Sequence, residues 1–378
     1  MLTRIFSRRF AGNYVSTLGF IALSYWLITD VSSFHKNALQ GQWQFGMLGI
    51  DAVLTVHTLY QALFALYVIV LVPFYATYPW MHSKAYVFLQ GLWFSILRLR
   101  RPTSRARTAS LAHQPLRLPL KASPSPAARQ AGLALLLKFF FAPLMINWCL
   151  GHIADMSSSV VQCWDAFANG VRGRALFDSS LYWALFQCIL FADTLLFTIG
   201  YIVEVPALHN RIRSVDPTFF GWFVCLACYP PFNDFTSRML EWQSNDFPHF
   251  DNDYVHFAAN IVLLVAMAIY SWASIALGFK ASNLTNRGIV ARGPYSVVRH
   301  PAYAAKNFAW WIGAIPTLGV WFASGDLHAV AYSVFSLCGW TAIYVLRAIT
   351  EERHLLMAGN GYAEYMGRVR WRFIPGVV

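Results

Sequence analysis

The sequence is poor in charge: charged residues make up 12% of its 378 residues, about half the share found in a typical soluble domain. Acids are scarcer than bases, with 17 Asp and Glu against 29 Lys and Arg. Hydrophobic residues make up 57% of the chain and cluster in long runs. This composition excludes a disordered chain, a nucleic-acid-binding module and an ordinary cytosolic enzyme.

Two other signals are also missing. The six cysteines are scattered, most of them within apolar runs, so they form no disulfide framework. Cys225 and Cys228 form a CxxC pair, but without a second pair the spacing favours packing over a metal or redox role. No Gly-x-Gly-x-x-Gly motif follows a predicted strand, which excludes a soluble dinucleotide-binding fold.

The apolar runs reach about 20 residues, the length needed to cross the ~30 Å hydrocarbon core of a bilayer. They predict an all-α fold, a polytopic transmembrane helical bundle of about eight spans. The fifth run is short and ends at Pro230-Pro231. The predicted spans are 14–31, 56–77, 131–150, 181–205, 218–229, 257–277, 307–321 and 329–346.

The loops between these runs indicate an orientation. Residues 98–129 carry eight Lys or Arg and no acid, whereas residues 231–255 carry five acids and one arginine. Because positive loops stay in the cytoplasm, the pattern predicts an integral, multi-pass membrane protein with cytoplasmic N- and C-termini. The Pro-, Ser-, Ala- and Arg-rich segment 98–129 is typical of a flexible linker, here resting on anionic membrane lipid.

Chemistry-bearing side chains concentrate in residues 280–378. Pro301 predicts a helix start, because proline is favoured at the first helical position. His300 would then cap that helix at the cytoplasmic rim, where a helix N-terminus favours an anion. The surrounding motif reads Gly293-Pro-Tyr295-x3-Arg299-His-Pro-x-Tyr303.

A second group follows on the last predicted span. Arg347 and Glu351 are four residues apart and share a helix face. An arginine there can hold a carboxylate bidentately, while the glutamate binds an ammonium or ribose hydroxyls. Taken separately, these residues also fit positive-inside charge, a surface ion pair and interfacial aromatics. Their co-occurrence at one membrane face favours a site.

These motifs, followed by Gly361-Tyr-x2-Tyr365-x3-Val369 and Arg372-Phe-Ile-Pro375, resemble the isoprenylcysteine carboxyl methyltransferase family. Related signatures occur in membrane phospholipid N-methyltransferases and, more divergently, in sterol reductases. The resemblance covers about residues 280–378. It divides the chain into an N-terminal transmembrane bundle, 1–255, and a methyltransferase-like membrane region, 256–378.

The resemblance implies that S-adenosyl-L-methionine binds in a cytoplasmic pocket formed by the last helices and the C-terminal tail. Arg347 and Glu351 would be the catalytic residues, with Arg347 facing a substrate carboxylate. No metal is implied. The cofactor-binding residues would be Arg287, Gly288, Ile289, Val290, Tyr295, His300, Pro301, Ala302, Tyr303 and Glu351. Arg287 replaces a histidine that is common in the eukaryotic enzymes.

The residues agree with this chemistry but leave the methyl acceptor open. Tyrosine faces attract a sulfonium cation, and an ionised carboxylate needs alignment with the methyl carbon rather than a base. A protonated amine would need a base, for which Glu351, Glu352 or His354 could serve. The expected partners are an amphiphilic or lipid-linked small-molecule substrate, entering sideways, and membrane lipid, with no nucleic acid.

Three other functions compete with carboxyl methylation. A phospholipid amine N-methyltransferase would use the same cofactor. An NADPH-dependent, sterol-reductase-like enzyme would need a site for the 2′-phosphate, for which Arg368, Arg370 and Arg372 are candidates. A non-enzymatic transporter or scaffold would need no cofactor pocket and would tolerate mutation at His300 and Glu351.

Overall fold

The computed structural model describes residues 7–40, 42–47, 50–100 and 125–377, which are mostly helical. Six helices among them are long and apolar enough to cross a membrane. This confirms the predicted all-α helical class; the strands described are limited to two short antiparallel pairs. The six helical stretches are Arg8–Val31, His57–Thr77, Pro126–Ala168, Gly173–Ile202, Asp253–Lys280 and Leu327–Met357.

Two of the eight predicted spans are not among these six. The segment 218–229 contains the eight-residue helix Phe219–Leu226, whose rise of about 12 Å is too short for the hydrocarbon core. The segment 307–321 lies in the 23-residue helix Pro301–Ala323. The count of eight spans therefore stays a prediction.

Residues up to Leu39 form one compact unit together with His57–Phe140. Within it, the buried Asn13 ties the first helix to the turn before Lys84: its Nδ2 donates to Met81 O (3.1 Å), and its Oδ1 accepts from the Ser83 N–H (2.8 Å). The helices are α1 Arg8–Trp26, extended by a π-helical turn at Leu27–Val31, α2 Ser33–Leu39, α3 Val56–Thr77, α4 Lys84–Arg100 and the start of α5, Pro126–Ala168. Most of the predicted basic linker 98–129, residues 101–124, lies outside the described residues.

The second unit comprises Gln40–Val56 and Phe141–Val378. Its helices after α5 are α6 Gly173–Leu176, α7 Tyr182–Ile202, α8 Phe219–Leu226, α9 Asn233–Met239, α10 Asp253–Leu277, α11 Pro301–Ala323, α12 Leu327–Met357 and α13 Tyr362–Arg368, with a π-helical turn at Phe177–Leu181 and 3-10 turns at Pro206–Leu208, Gly278–Lys280 and Gly293–Ser296. Strand β1 (Gln42–Met47) pairs with β2 (Ile50–Thr55), and β3 (Ser214–Val215) pairs with β4 (Thr285–Asn286).

The core of this unit forms where α7, α10 and α11 meet. Tyr182 and Phe186 on α7 pack with Leu263 and Met267 on α10, and Ala309 on α11 joins the same buried cluster. The predicted domain boundary between 255 and 256 falls inside α10. The boundary depends on motif content alone, and it stays a prediction.

The segment of residues 240–250, which we call the inserted loop, is held by the helices around it. The Asn245 N–H donates to Gly313 O on α11 (3.1 Å). From α12, Trp340 Nε1 donates to Leu240 O (2.9 Å) and Ser333 Oγ donates to Gln243 Oε1 (3.0 Å). Part of the acidic segment 231–255 is therefore held against α11 and α12 by its backbone and by Gln243, while the side chains of Glu241 and Asp246 are exposed.

Gly313 permits this close approach, which gives a first testable prediction. A β-carbon at Gly313 would lie 2.3 Å from Asn245 O, a backbone atom, whereas nothing lies within 4 Å of one at Gly319 on the same helix. We expect Gly313→Ala to lower the free energy of unfolding by about 1–3 kcal/mol. Gly319→Ala should be neutral or stabilising by up to about 1 kcal/mol. Unfolding of the two variants in detergent measures their free energies of unfolding. Equal changes in the two variants would contradict the close packing of Asn245 against Gly313.

Candidate functional site

A cavity of about 190 Å³ in the second unit brings the two predicted motif segments together. Seven tyrosines line it, together with several cationic side chains. Its walls come from α7, α10, α11, α12, α13 and the loops between these helices. The predicted site residues that line it are Arg287, Gly288, Ile289, Val290, Tyr295, His300, Ala302, Tyr303, Arg347 and Glu351. Pro301 does not line it.

Pro301 instead begins α11, as its position in the motif predicts, and His300 is the N-cap. The Arg299 and His300 N–H groups donate to Trp371 O and Arg372 O, each at 2.9 Å. The backbone of the C-terminal tail is thus hydrogen-bonded to the residues at the start of α11. Because these two N–H groups donate to the tail, they cannot donate to an anionic ligand.

Glu352 is the centre of a buried ionic cluster. Arg299 Nε and Arg372 Nη2 each lie 2.7 Å from a different oxygen of its carboxylate, and His300 Nε2 lies 3.2 Å from Oε1. The Glu352 carboxylate raises the pKa of Arg372 above its ordinary value by accepting its hydrogen bonds. The cluster locks the tail onto α11 and α12. Glu352 is therefore occupied, which removes it from the candidate bases for an amine acceptor.

Glu351, the residue before Glu352, lines the cavity. Its Oε1 accepts a hydrogen bond from the Tyr303 hydroxyl, and its Oε2 lies 3.8 Å from His300 Nδ1. The His300 and Tyr303 rings stack with centroids 5.5 Å apart. The Glu351 side chain remains 28% exposed, so one carboxylate oxygen can meet a ligand.

Arg347 is buried within a cage of tyrosines. Its guanidinium carbon lies 5.0 Å from the Tyr344 ring centroid, 5.1 Å from that of Tyr303 and 5.7 Å from that of Tyr229. Its Nη2 donates to Asn283 Oδ1 (2.9 Å), but its Nε has no hydrogen-bond partner among the residues that the structure describes. A buried donor without a partner costs about 1–3 kcal/mol, so a ligand oxygen that accepts from this atom would bind favourably.

The possibility that Arg347 and Glu351 form a simple surface ion pair does not fit this geometry. Arg347 is 3% exposed, and the salt bridges found among the described residues do not join the two side chains. Both side chains line the same cavity. They are therefore two separate polar groups facing one space.

Arg287 lines the cavity, but its side chain is already bound to protein atoms. Its Nε donates to Ser282 Oγ (2.8 Å), its Nη2 donates to Gly200 O (2.6 Å), and its Nη1 donates to Asn210 O. Burial lowers its pKa from the ordinary value. Arg287 thus ties this loop to the end of α7. Cofactor contact through the backbone of residues 287–290 stays a prediction.

The tyrosines of the tail close another side of the cavity. The Tyr365 hydroxyl donates to Tyr295 O (2.7 Å), and Tyr362 packs beside Tyr365 and Val369 in a small buried cluster. Burial raises the pKa of Tyr365 to about 12 and raises that of Tyr295 above its ordinary value. Both phenols are therefore neutral at physiological pH and serve as hydrogen-bonding and apolar surface.

Sequence reasoning missed several lining residues. Tyr344 and Lys306 each lie three residues from a predicted site residue on the same helix, Arg347 and Tyr303 respectively, so helix periodicity could have found them. Others come from segments distant from the motifs and carry no local signal. Among them are Phe197, Asp216, Tyr229 and Tyr270.

Two further predicted features can be placed. Arg368 and Arg370 are exposed, whereas Arg372 is held by Glu352, so the tail arginines do not form one free cluster for a 2′-phosphate. In the described part of the chain, no group of three or more His, Cys, Asp or Glu side chains is arranged to hold a metal ion.

No family model matches this chain, and no curated protein sequence matches it. The resemblance to the isoprenylcysteine carboxyl methyltransferase family therefore depends on the quoted motifs alone. What that resemblance implies about activity is taken up as a proposal.

Proposed function

We propose that this chain is an integral membrane methyltransferase that uses S-adenosylmethionine and methylates a carboxylate on a lipidated or amphiphilic substrate. One observation carries the proposal: Tyr295, His300 and Tyr303 line the same cavity as Arg347 and Glu351, although the two segments are far apart in the sequence. This set of groups matches the motifs through which the chain resembles the isoprenylcysteine carboxyl methyltransferase family.

The proposal includes a topology. Eight spans with cytoplasmic N- and C-termini would place the cavity on the cytoplasmic side, because the basic loops would then all lie inside. The crossing at 218–229 would need more of the chain than the short helix α8. The cofactor would enter from the cytosol and the apolar tail of the substrate from the bilayer. The six apolar helices support a membrane protein, while the orientation rests on the loop charges.

The cavity side chains fit the chemical groups of the cofactor. Glu351 Oε2, which lies beyond hydrogen-bond distance from His300, would bind the ammonium or a ribose hydroxyl. The Tyr295 ring would face the sulfonium. The positive end of the α11 dipole favours the cofactor carboxylate even though two N–H groups at this end are taken.

S-adenosylmethionine supplies a methyl group activated by its attachment to a sulfonium. The orphaned Arg347 Nε, together with its neighbouring guanidinium nitrogens, would orient the acceptor carboxylate. An ionised carboxylate needs no base, so alignment and exclusion of water suffice. The tyrosine cage around Arg347 would provide that exclusion.

The ionic cluster supports a carboxylate acceptor over an amine. An amine acceptor needs a base, and Glu352 is occupied by Arg299 and Arg372. His354 lines the cavity as well, and its Nε2 lies 3.0 Å from Ser214 Oγ. Glu351 and His354 are therefore the remaining cavity-facing candidates, and Glu351 would also have to bind the cofactor.

Titration calorimetry of the detergent-solubilised protein tests the proposal. We expect saturable binding of S-adenosylmethionine and S-adenosylhomocysteine, weakened about tenfold or more by Glu351→Gln, since a charge-assisted hydrogen bond is lost. Glu364→Gln is a matched control, because Glu364 is exposed on α13. Binding of NADPH alone would instead indicate a reductase, and binding of none of the three would favour a transporter or scaffold.

A further inference from the structure

Lys306 places a further cation in the cavity, on a wall that the motifs do not cover. It lies on α11, about 7.5 Å along the helix from Pro301, and it lines the cavity. Its Nζ is 5.3 Å from the Tyr270 ring centroid and 5.5 Å from that of Trp310. The aromatic rings hold the ammonium by cation–π attraction, yet they leave its hydrogen-bond donors unused.

No described side chain pairs with this ammonium. It forms no hydrogen bond or salt bridge with another described residue, although it interacts electrostatically with Asp193 and Asp246. Both oxygens of the Asp193 carboxylate already accept hydrogen bonds, one from Tyr270 OH (2.5 Å) and the other from Ser274 Oγ. An ammonium held against aromatic rings without a hydrogen-bonded anion loses part of its solvation, so a ligand anion that accepts from it would bind favourably.

Lys306 and Arg347 lie near the same tyrosine. Lys306 follows Tyr303 by one turn of α11, and the Arg347 guanidinium lies 5.1 Å from the Tyr303 ring centroid. The same cavity is lined by the apolar side chains of Phe197 on α7 and Leu277 on α10. The cavity thus combines these two cations with apolar surface, a combination that suits an anionic amphiphile.

We propose that Lys306 binds a second anionic group of the methyl acceptor, a carboxylate or a phosphate, so that the substrate is an amphiphile with two anionic groups. The inference rests on the proposed function, because Arg347 is taken to hold the carboxylate that is methylated. Lys306 is then a specificity-determining residue, and the apolar tail lies against Phe197 and Leu277.

Three amphiphiles with the same tail test this inference: N-dodecanoylglycine, N-dodecanoylaspartate and N-dodecanoylphosphoserine. Their binding to the protein in detergent is measured by calorimetry without cofactor. We expect at least one of the two ligands with two anionic groups to bind about tenfold more tightly than the glycine compound. If the aspartate compound shows the larger gain in affinity over the glycine compound, the second group is a carboxylate; if the phosphoserine compound does, it is a phosphate.

Variants assign that preference to Lys306. The affinity ratio is the affinity for the tighter of the two ligands with two anionic groups divided by that for N-dodecanoylglycine. Lys306→Met and Lys306→Gln, which remove the charge, should reduce this ratio to about one. Lys306→Arg, which keeps the charge, should retain it. Lys280→Met is the matched control: Lys280 also lines the cavity but has Arg213 and Arg292 as its charged neighbours, so the ratio should persist. Gel filtration checks that each variant is folded.

Two results would overturn the inference: a ratio near one in the unmodified protein, or a ratio that persists in folded Lys306→Met and Lys306→Gln. If Lys306 only balances Asp193, these variants will lose thermal stability and weaken all three ligands equally, which also overturns it. The proposed function is tested by titration with S-adenosylhomocysteine, whereas this inference is tested by the amphiphile titrations without cofactor. Loss of the first binding therefore indicates failure of the proposed function, and loss of the amphiphile preference indicates failure of this inference.

Discussion

Glu352→Ala is expected to destabilise the second unit by about 3–5 kcal/mol, the usual cost of removing one partner from a buried ionic cluster. The side chains of Glu352 and Arg299 are only 5% and 7% exposed. Without the carboxylate, Arg299 is left as an uncompensated buried charge and Arg372 loses its anchor. Unfolding of the purified protein in detergent, followed by circular dichroism, measures the loss.

The neighbouring Glu351 provides the matched comparison. Its side chain is 28% exposed and its hydrogen-bonding partner is Tyr303, so Glu351→Ala should cost only about 1 kcal/mol of stability while weakening ligand binding. The double variant Arg299→Ala, Glu352→Ala should be less unstable than the sum of the single changes, because each removes the other's partner. Equal stability losses for Glu351→Ala and Glu352→Ala would contradict a structural role for Glu352 and a ligand-binding role for Glu351.

This contrast shows how far the sequence alone could lead. The start of α11 at Pro301, the cap at His300 and the shared helix face of Arg347 and Glu351 were predictable, because each depends on residues only a few positions apart. The helical class was predictable for a similar reason, since long apolar runs leave few alternatives to helices in a bilayer.

The different roles of Glu351 and Glu352 were not predictable. The two residues are adjacent and chemically identical, and their roles depend on where the C-terminal tail lies. The tail pairs its backbone with Arg299 and His300 and places Arg372 beside Glu352. That arrangement is a tertiary contact, on which helix periodicity gives no information.

The packing of the inserted loop, residues 240–250, was not predictable for a related reason. The sequence identifies only an acidic segment, 231–255, between two predicted spans, whereas the hydrogen bonds between its backbone and α11 and α12 depend on the tertiary fold. The absence of a β-carbon at Gly313 makes room for Asn245. A single glycine in an apolar helix carries no such meaning in sequence, because the partner segment is distant.

Arg347→Lys is expected to reduce methyl transfer, measured as kcat/KM, by about 100-fold, while binding of S-adenosylhomocysteine is retained. Lysine keeps the positive charge but lacks the planar fork that holds a carboxylate bidentately and stacks between aromatic rings. Misplacing the acceptor by about 1 Å is enough to cost a factor of this size. Transfer of a radiolabelled methyl group to N-acetyl-S-farnesylcysteine, which carries one carboxylate on an apolar chain, measures the rate.

Arg353→Lys is the control for this experiment, because Arg353 is exposed on the same helix and lies outside the cavity lining, so its rate should match that of the unmodified protein. If Arg347→Lys weakens binding of S-adenosylhomocysteine as much as it slows transfer, Arg347 holds the cofactor rather than the acceptor. Full activity in Arg347→Lys would contradict the proposal that two guanidinium nitrogens orient the acceptor carboxylate, since the single charge of lysine would then be enough for transfer. The expected pattern, slow transfer with intact cofactor binding, would place the acceptor carboxylate at the orphaned Nε.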